Sequence, residues 1–416
     1  MSKYVENITK QLKQASVLLQ RLTTSKKNEA LRAMAKAIVE NKEYILAENR
    51  KDLKKAKKDN LTQSFIDRLT LNAKRIKVMS DSLRAVAKLP DPVGKIILTK
   101  VRPNKMKVQK VRVPLGVVLI IYEARPNVTS DCIGLLFKTS NIGILRGGSK
   151  AMATNIAIGD TLNSSLIKVG INFSPFFVIK KPDYSITDEL FKQDKNIDLV
   201  IPRGGEALIR KVTESSKIPV IKHYKGVCHI YVDKYADLSK ALKICINAKV
   251  QRPSVCNAAE TILVNKKCAA KFLPQLKEKL EEKNVEIRVG HKGLKIIKNV
   301  KKAKESDWKT EYLDLIVSIK VVDNLDQAVA HINKYGSHHT DCIVTEDKKA
   351  ADKFLKEVDS ACCFHNLSTR FSDGYQFGLG AEIGISTDKL HARGPMGLEE
   401  LTTYKWLGKG SGQIRK

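Results

Sequence analysis

The chain has 416 residues, 43% of them hydrophobic, too many for one ordinary core and suited to two or three domains. No stretch approaches about 18 uncharged apolar residues, and the first residues lack the apolar centre of a leader, so no membrane span is expected and a cytoplasmic protein is the default. The net charge is +31, but most of it is lysine spread along helical stretches such as KDLKKAKKDN (51–60), without interleaved arginine and aromatic residues; it reads as a solvated surface that draws small anions, not as a nucleic-acid site.

The first ninety residues read as helices. Ile8, Leu12, Ala15 and Leu19 fall on one helical face, and after a polar break Leu31, Ala35, Ile38 and Ile45 continue a similar pattern, with Ser25 as the expected cap. Pro90-Asp91-Pro92 ends this region, since no helix interior tolerates it. The alternating run 101–113 predicts an exposed hairpin. Short, uniformly apolar runs follow at 116–127, 141–146, 176–180, 197–202, 229–233, 261–265, 315–322, 342–345 and 361–366, mostly with helix-like stretches between them. Buried strands alternating with helices predict an α/β architecture with parallel sheets.

Three glycine-rich loops stand out. Arg146-Gly147-Gly148-Ser149-Lys150 follows a strand but lacks the Gly-Lys-Ser/Thr order of a P-loop, which argues against ATP hydrolysis. Pro202-Arg203-Gly204-Gly205 again ends a strand and opens a helix. Backbone N–H groups in such loops hold phosphate or pyrophosphate, although either loop serves equally as a tight turn. Gly378, Gly380 and Gly384 give a GxGxxxG spacing without a strand leading into it, so a structural or substrate-facing loop is expected there rather than a dinucleotide fingerprint.

The eight cysteines have no framework spacing and read as free thiols. His338, His339, Cys362, Cys363 and His365 suggest a metal cluster, but Cys362 and Cys363 sit in an apolar strand-like run, and no metal site is expected. Cys256 differs from the rest. It lies in the polar, proline-containing loop QRPSVCNAAE (251–260), where Arg252 favours a thiolate. Spacing alone leaves open whether it is a nucleophile.

The blocks PLGVVLIIYEARPNVT (114–129), ILRGGSKA (144–151), VIPRGGEALI (200–209), QRPSVCNAAETILV (251–264), TEYLDLIVSIKVV (310–322) and the long run 368–406 resemble γ-glutamyl phosphate reductases of the aldehyde dehydrogenase superfamily, in order and over nearly the whole chain. The resemblance implies a Rossmann-like cofactor domain (1–100 and 114–249), a smaller α/β catalytic domain (250–385), an oligomerisation flap (101–113 and 402–416) and a return segment (386–401). It implies NADPH-dependent reduction of glutamyl 5-phosphate to glutamate 5-semialdehyde in proline biosynthesis. Cys256 matches the nucleophile, Asn127 the oxyanion amide and Glu311 the glutamate that fixes the nicotinamide ribose. Arg146 stands near the adenosine ribose, Gly147 and Gly148 belong to the same loop, and Gly204 and Gly205 match the pyrophosphate loop. Arg125, Arg252 and Arg370 are candidates for the anionic groups of the substrate or, equally, for structural ion pairs. A homo-oligomer is implied, and glutamate 5-kinase, which makes the acyl phosphate, is the candidate protein partner. One departure matters: where oxidising relatives carry Glu-Leu-Gly-Gly, this chain has His223-Tyr224-Lys225-Gly226, without the water-activating glutamate.

Overall fold

A computed structural model describes residues 2–415 except Ala124 and His223, with Ser64 described by its backbone alone. The chain divides into two compact units, one made of residues 1–222, 378–384 and 396–416, the other of residues 223–377 and 385–395.

The first unit begins with five helices, Lys3–Gln20, Thr24–Glu40, Lys42–Lys58, Gln63–Leu69 and Ala73–Lys88. Ile8, Leu12, Ala15 and Leu19 are buried, as their spacing requires. Thr23, not Ser25, caps the second helix, accepting from the Lys26 N–H. That helix stops at Glu40, so Ile45 belongs to the third. A four-stranded parallel sheet follows, in the order Phe176–Val178, Ile142–Gly147, Val117–Tyr122, Leu199–Arg203. Val117–Tyr122 is buried at every position, the signature of a strand covered on both faces. From this strand the chain steps outward twice and then returns to its other flank. The order therefore reverses between Val117–Tyr122 and Leu199–Arg203, and ligands of open α/β sheets bind beyond the carboxyl ends of strands at such a reversal.

A hairpin forms, but its first strand, Ile96–Val101, precedes the expected run 101–113; its second is Lys107–Pro114, with which Thr402–Lys409 pairs antiparallel. The strand Ile96–Val101 is exposed throughout.

The second unit is built on seven parallel strands, in the order Lys301–Lys302, Glu286–Val289, Ile316–Val322, Ala259–Asn265, Cys228–Val232, Thr340–Val344, Cys362–His365. Alternate residues feed two cores. Ile230, Ile262 and Ile319 join Cys245 and Phe272 in one; Tyr231, Leu263 and Ile343 join Ile332 and Phe354 in the other. This sheet explains where the units divide. Cys228–Val232 lies between two of its strands, so the break falls after Lys222 rather than at 249. Gly378–Gly384 likewise groups with the first unit, and the return segment is divided, Ile385–Pro395 going with the second unit and Met396 onward with the first. No described helix is long and apolar enough to cross a membrane.

Candidate active site

In the second unit, the helix Leu238–Val250 and the strand Ala259–Asn265 are joined by the loop that carries Cys256. At the foot of this loop the Lys249 ammonium meets the Glu260 carboxylate at 2.6 Å, with both side chains fully buried. Burial pushes the Glu260 carboxyl up to about 7 and pulls the Lys249 ammonium down. Within the loop, the Ala258 N–H closes a turn on the Val255 carbonyl at 3.0 Å. The Cys228 thiol donates to the Cys256 carbonyl at 3.2 Å. On the other side Asn257 donates to the Ser372 carbonyl at 2.8 Å and accepts from the Arg370 guanidinium, which also reaches Gln251 Oε1 at 2.8 Å. Both neighbours of the Cys256 side chain are thus pinned, while Cys256 itself stays partly exposed.

Six of the other cysteines are buried, and Cys363 is half-buried like Cys256; desolvation raises all seven thiols. It pushes the Cys132 and Cys342 thiols up to about 12, Cys268 and Cys363 up to about 11, and raises Cys228, Cys245 and Cys362 as well. A thiol so shielded is a poor nucleophile at neutral pH. Among the described residues no group of three or more His, Cys, Asp and Glu side chains is placed to hold a metal ion.

Of the three candidate arginines, two share this unit with Cys256. Arg370 is half-buried; burial lowers its affinity for a proton, and the Arg252 cation lowers it further, while Asp373, then Cys256 and Cys228, oppose that effect. Arg252 is exposed. Arg125 belongs to the first unit. Glu311 accepts from the Gly226 N–H at 2.9 Å, so it steadies the segment that packs against Cys256. His223 of that segment lies outside the described residues; Lys225 donates to the Lys309 carbonyl at 3.0 Å.

In the first unit, the candidate residues collect at the carboxyl ends of the parallel strands. Glu123 follows Val117–Tyr122, and its Oε1 accepts from the Gly205 N–H at 3.2 Å. Gly205 caps the helix Glu206–Ser215. A carboxylate oxygen therefore already occupies the helix N-terminus assigned to an anion. A Cβ on Gly204 would lie 2.8 Å from that carboxyl, which accounts for glycine there. Gly147 is explained by packing, because a Cβ would run into the Asn155 amide and lie 3.0 Å from the Tyr122 ring. Gly148 precedes the short turn Ser149–Ala151. Gly380 packs on Leu89 and Gly384 on the Arg203 guanidinium, both with positive φ, which accounts for glycine at these two positions of the third loop.

Arg146 is only 4% exposed. Its guanidinium donates to Thr187 Oγ1, the Gly147 carbonyl and the Pro182 carbonyl. It also lies 5.5 Å from the centroid of Tyr184, a ring that is 65% exposed and has Lys211 at a further 5.5 Å. Arg146 thus backs an exposed aromatic shelf that its own position in the sequence does not reveal.

Asn127 is the first residue of the helix Asn127–Lys138 and is exposed. The turn leading into this helix is riveted by the buried chain Tyr122 hydroxyl to Thr129 hydroxyl (2.6 Å) to Asn155 (3.0 Å). Asn127 Nδ2 donates to Asp131 Oδ2 at 3.0 Å.

Comparison with known proteins gives these geometries a context. The aldehyde dehydrogenase family model matches residues 2–295. A gamma-glutamyl phosphate reductase of Thermodesulfovibrio yellowstonii is 52% identical over 412 residues, covering 99% of each chain. The crystal structure of the gamma-glutamyl phosphate reductase of Thermotoga maritima superposes with a TM-score of 0.97 at 45% identity, covering 99% of this chain and 100% of that one. An engineered glycolyl-CoA reductase with bound NADP+ shares the fold alone, with a TM-score of 0.69 at 13% identity and coverage of 97% and 96%. The chain belongs to the gamma-glutamyl phosphate reductase family of aldehyde-dehydrogenase-type oxidoreductases.

Proposed function

We propose that this chain reduces glutamyl 5-phosphate to glutamate 5-semialdehyde with NADPH, through a thioester on Cys256. The observation that carries the proposal is the Cys256 loop itself: a partly exposed thiol on a backbone held by Cys228, Asn257 and Arg370, with the Arg370 guanidinium acting on it and Arg252 acting on Arg370. Cations favour the thiolate and attract a phosphorylated substrate.

The Cys256 thiolate attacks the acyl carbon, the carbon–oxygen bond to phosphate breaks, and phosphate departs with that electron pair. Charge on the carbonyl oxygen is met by the Asn127 amide and the Cys256 backbone N–H. The chemistry supplied by bound NADPH is a hydride for the thioester carbon. Once that carbon is reduced, the oxygen pair re-forms the carbonyl, and the Cys256 sulfur leaves as thiolate, restoring the starting state. The stretch 223–226 carries no carboxylate to activate water. That suits an enzyme whose thioester must survive until reduction. Arg125 is a further candidate for the substrate carboxylate, in fork geometry.

The residues of the first unit fit a dinucleotide. The Gly205 N–H, which donates to the Glu123 carboxylate, would donate to an anionic oxygen of the cofactor in its place. Gly204 and Gly205 would take the pyrophosphate, with Gly147 and Gly148 opening the neighbouring turn. Tyr184, backed by Arg146 and flanked by Lys211, would take the adenosine end, its lysine favouring a 2′-phosphate. Glu311 would exchange Gly226 for the nicotinamide ribose. The sheet of Ile96–Val101, Lys107–Pro114 and Thr402–Lys409 would join a second copy in a cytoplasmic homo-oligomer, and glutamate 5-kinase is the partner that supplies an acyl phosphate too labile to store.

The deciding assay runs the reaction backwards: glutamate 5-semialdehyde with NADP+, in the presence and absence of phosphate. Reduction of NADP+ that requires phosphate is the expected result. Equal rates without phosphate, or a preference for simple aldehydes, would assign the chain to an aldehyde-oxidising activity instead.

A further inference from the structure

An amide such as that of Asn127 has a donor end and an acceptor end, and only the donor end stabilises negative charge. Something must therefore decide which way it faces. Asp131 lies four residues on, one helical turn along the same face, and takes one N–H of the Asn127 amide at 3.0 Å. A carboxylate accepts and cannot donate, so the nitrogen faces Asp131 and the second N–H remains for another acceptor. A flipped amide would turn Oδ1 toward a developing oxyanion and repel it.

Asp131 is itself held. It is half-buried, the Ser82 hydroxyl hydrogen-bonds its carboxylate, and the Arg203 guanidinium acts on it. Arg203 is confined in turn by Gly384, where any side chain would overlap its guanidinium. Burial pushes the Asp131 carboxyl up, and the contacts from Asn127, Ser82 and Arg203 pull it part of the way back. Hydrogen bonds to such a group direct their donors more strongly than they would in solvent.

We infer that Asp131 is a positioning residue for the reaction: it orients the Asn127 amide so that an N–H, not the carbonyl, meets the oxyanion on the substrate. The inference rests on the assignment of Asn127 as oxyanion donor and adds to it the residue that sets its polarity.

A double-mutant cycle tests it. Wild type, Asp131→Ala, Asn127→Ala and the double variant are compared in the phosphate-dependent reverse reaction, with kcat and KM resolved. NADPH binding, followed by its fluorescence, and the rate of Cys256 alkylation by iodoacetamide report on the rest of the site without turnover. Removing an oxyanion donor costs about 100-fold in kcat, and its misorientation should cost about tenfold. Asp131→Ala should thus lower kcat about tenfold when Asn127 is present and less than about twofold when it is not, with NADPH affinity and alkylation unchanged. Losses that multiply in the double variant, or an Asp131→Ala enzyme as fast as wild type, would overturn the inference. If Asp131→Ala does not fold, Asp131→Asn enters the same cycle; it keeps an acceptor oxygen but no longer enforces the orientation, and a smaller loss that again vanishes without Asn127 is expected. A wild type that lacks phosphate-dependent activity defeats the proposed function, and an unimpaired Asn127→Ala defeats the oxyanion assignment; either result removes the role of Asp131 as well.

Discussion

Gly226 lies so close to Cys256 that a side chain at 226 would occupy the space of the Cys256 carbonyl group. The same glycine gives its N–H to Glu311 at 2.9 Å, and two residues later the Cys228 thiol donates to that carbonyl at 3.2 Å. The segment before the strand Cys228–Val232 is therefore the floor on which the Cys256 loop rests. Gly226→Ala should push this floor and the loop apart. Overpacking of this kind costs about 1–3 kcal/mol, and a displacement of about 1 Å at a reacting atom costs about 100-fold in rate. A large fall in kcat with a modest fall in melting temperature is expected. A variant with wild-type kcat would mean that the loop is not held from this side.

The assignment of the nucleophile separates the loop thiol of Cys256 from the core thiol of Cys245. Cys256→Ser should abolish turnover while NADPH still binds, since a hydroxyl at neutral pH is far less nucleophilic than a thiolate. Cys245 lies fully buried among Ala248, Ile230 and Ile262 in the core. Cys245→Ser should keep kcat within about twofold and lower stability by about 1–3 kcal/mol, the cost of burying an unpaired hydroxyl. Mass spectrometry of the acylated enzyme provides the check. An adduct on any cysteine other than Cys256 contradicts the mechanism.

Much of this was readable beforehand, and for a physical reason. Strands covered on both faces are uniformly apolar, so Val117–Tyr122, Ile142–Gly147 and Ala259–Asn265 announce themselves by composition. Short or polar edge elements do not. Glu286–Val289 and Lys301–Lys302 alternate or are exposed, and composition gave no sign of them. The division at Lys222 is invisible for another reason: it depends on which sheet the strand Cys228–Val232 enters, a long-range choice that local pattern does not encode. The same holds for the site. The Cys256 loop is legible from Pro253 and its polar neighbours. The contacts that shape it come from Gly226, Cys228, Arg370 and Ser372, all distant in sequence. The helical spacing of Asn127 and Asp131, four residues apart, is the exception, a contact that the sequence carries locally.

The buried pair at the foot of the loop makes stability depend on pH. The Glu260 carboxyl is raised by burial from an ordinary value of 4.5 to about 7. A carboxyl whose folded value is raised binds its proton more tightly when folded, so its contribution is present below about pH 4.5 and is lost as pH rises towards about 7. Lys249, lowered by burial, acts in the opposite sense at higher pH. The double variant Lys249→Met with Glu260→Leu removes both terms. Its melting temperature should gain on that of wild type between about pH 4.5 and pH 7. Each single variant leaves a buried charge without its partner and should cost about 3–5 kcal/mol, more than the double. Parallel melting curves across that range would show that the pair does not titrate with folding.

The antiparallel sheet of the first unit carries an unusual load of exposed apolar surface. Val101 is 67% exposed and Trp406 54%, and Lys110 lies 3.4 Å from the centre of the Tyr404 ring. An exposed edge strand such as Ile96–Val101 is prone to pair with another chain. If this sheet joins two copies, Val101→Asp with Trp406→Asp should place charges in the contact and shift the protein to monomers in sedimentation. A joint desolvated by several apolar side chains is worth many kcal/mol, and two buried aspartates remove enough of it to raise the dissociation constant by about 100-fold or more. The wild type should sediment as an oligomer at the same concentration. Identical sedimentation of wild type and variant would locate the contact elsewhere on the molecule, and a monomeric wild type would leave this apolar sheet without the partner proposed for it.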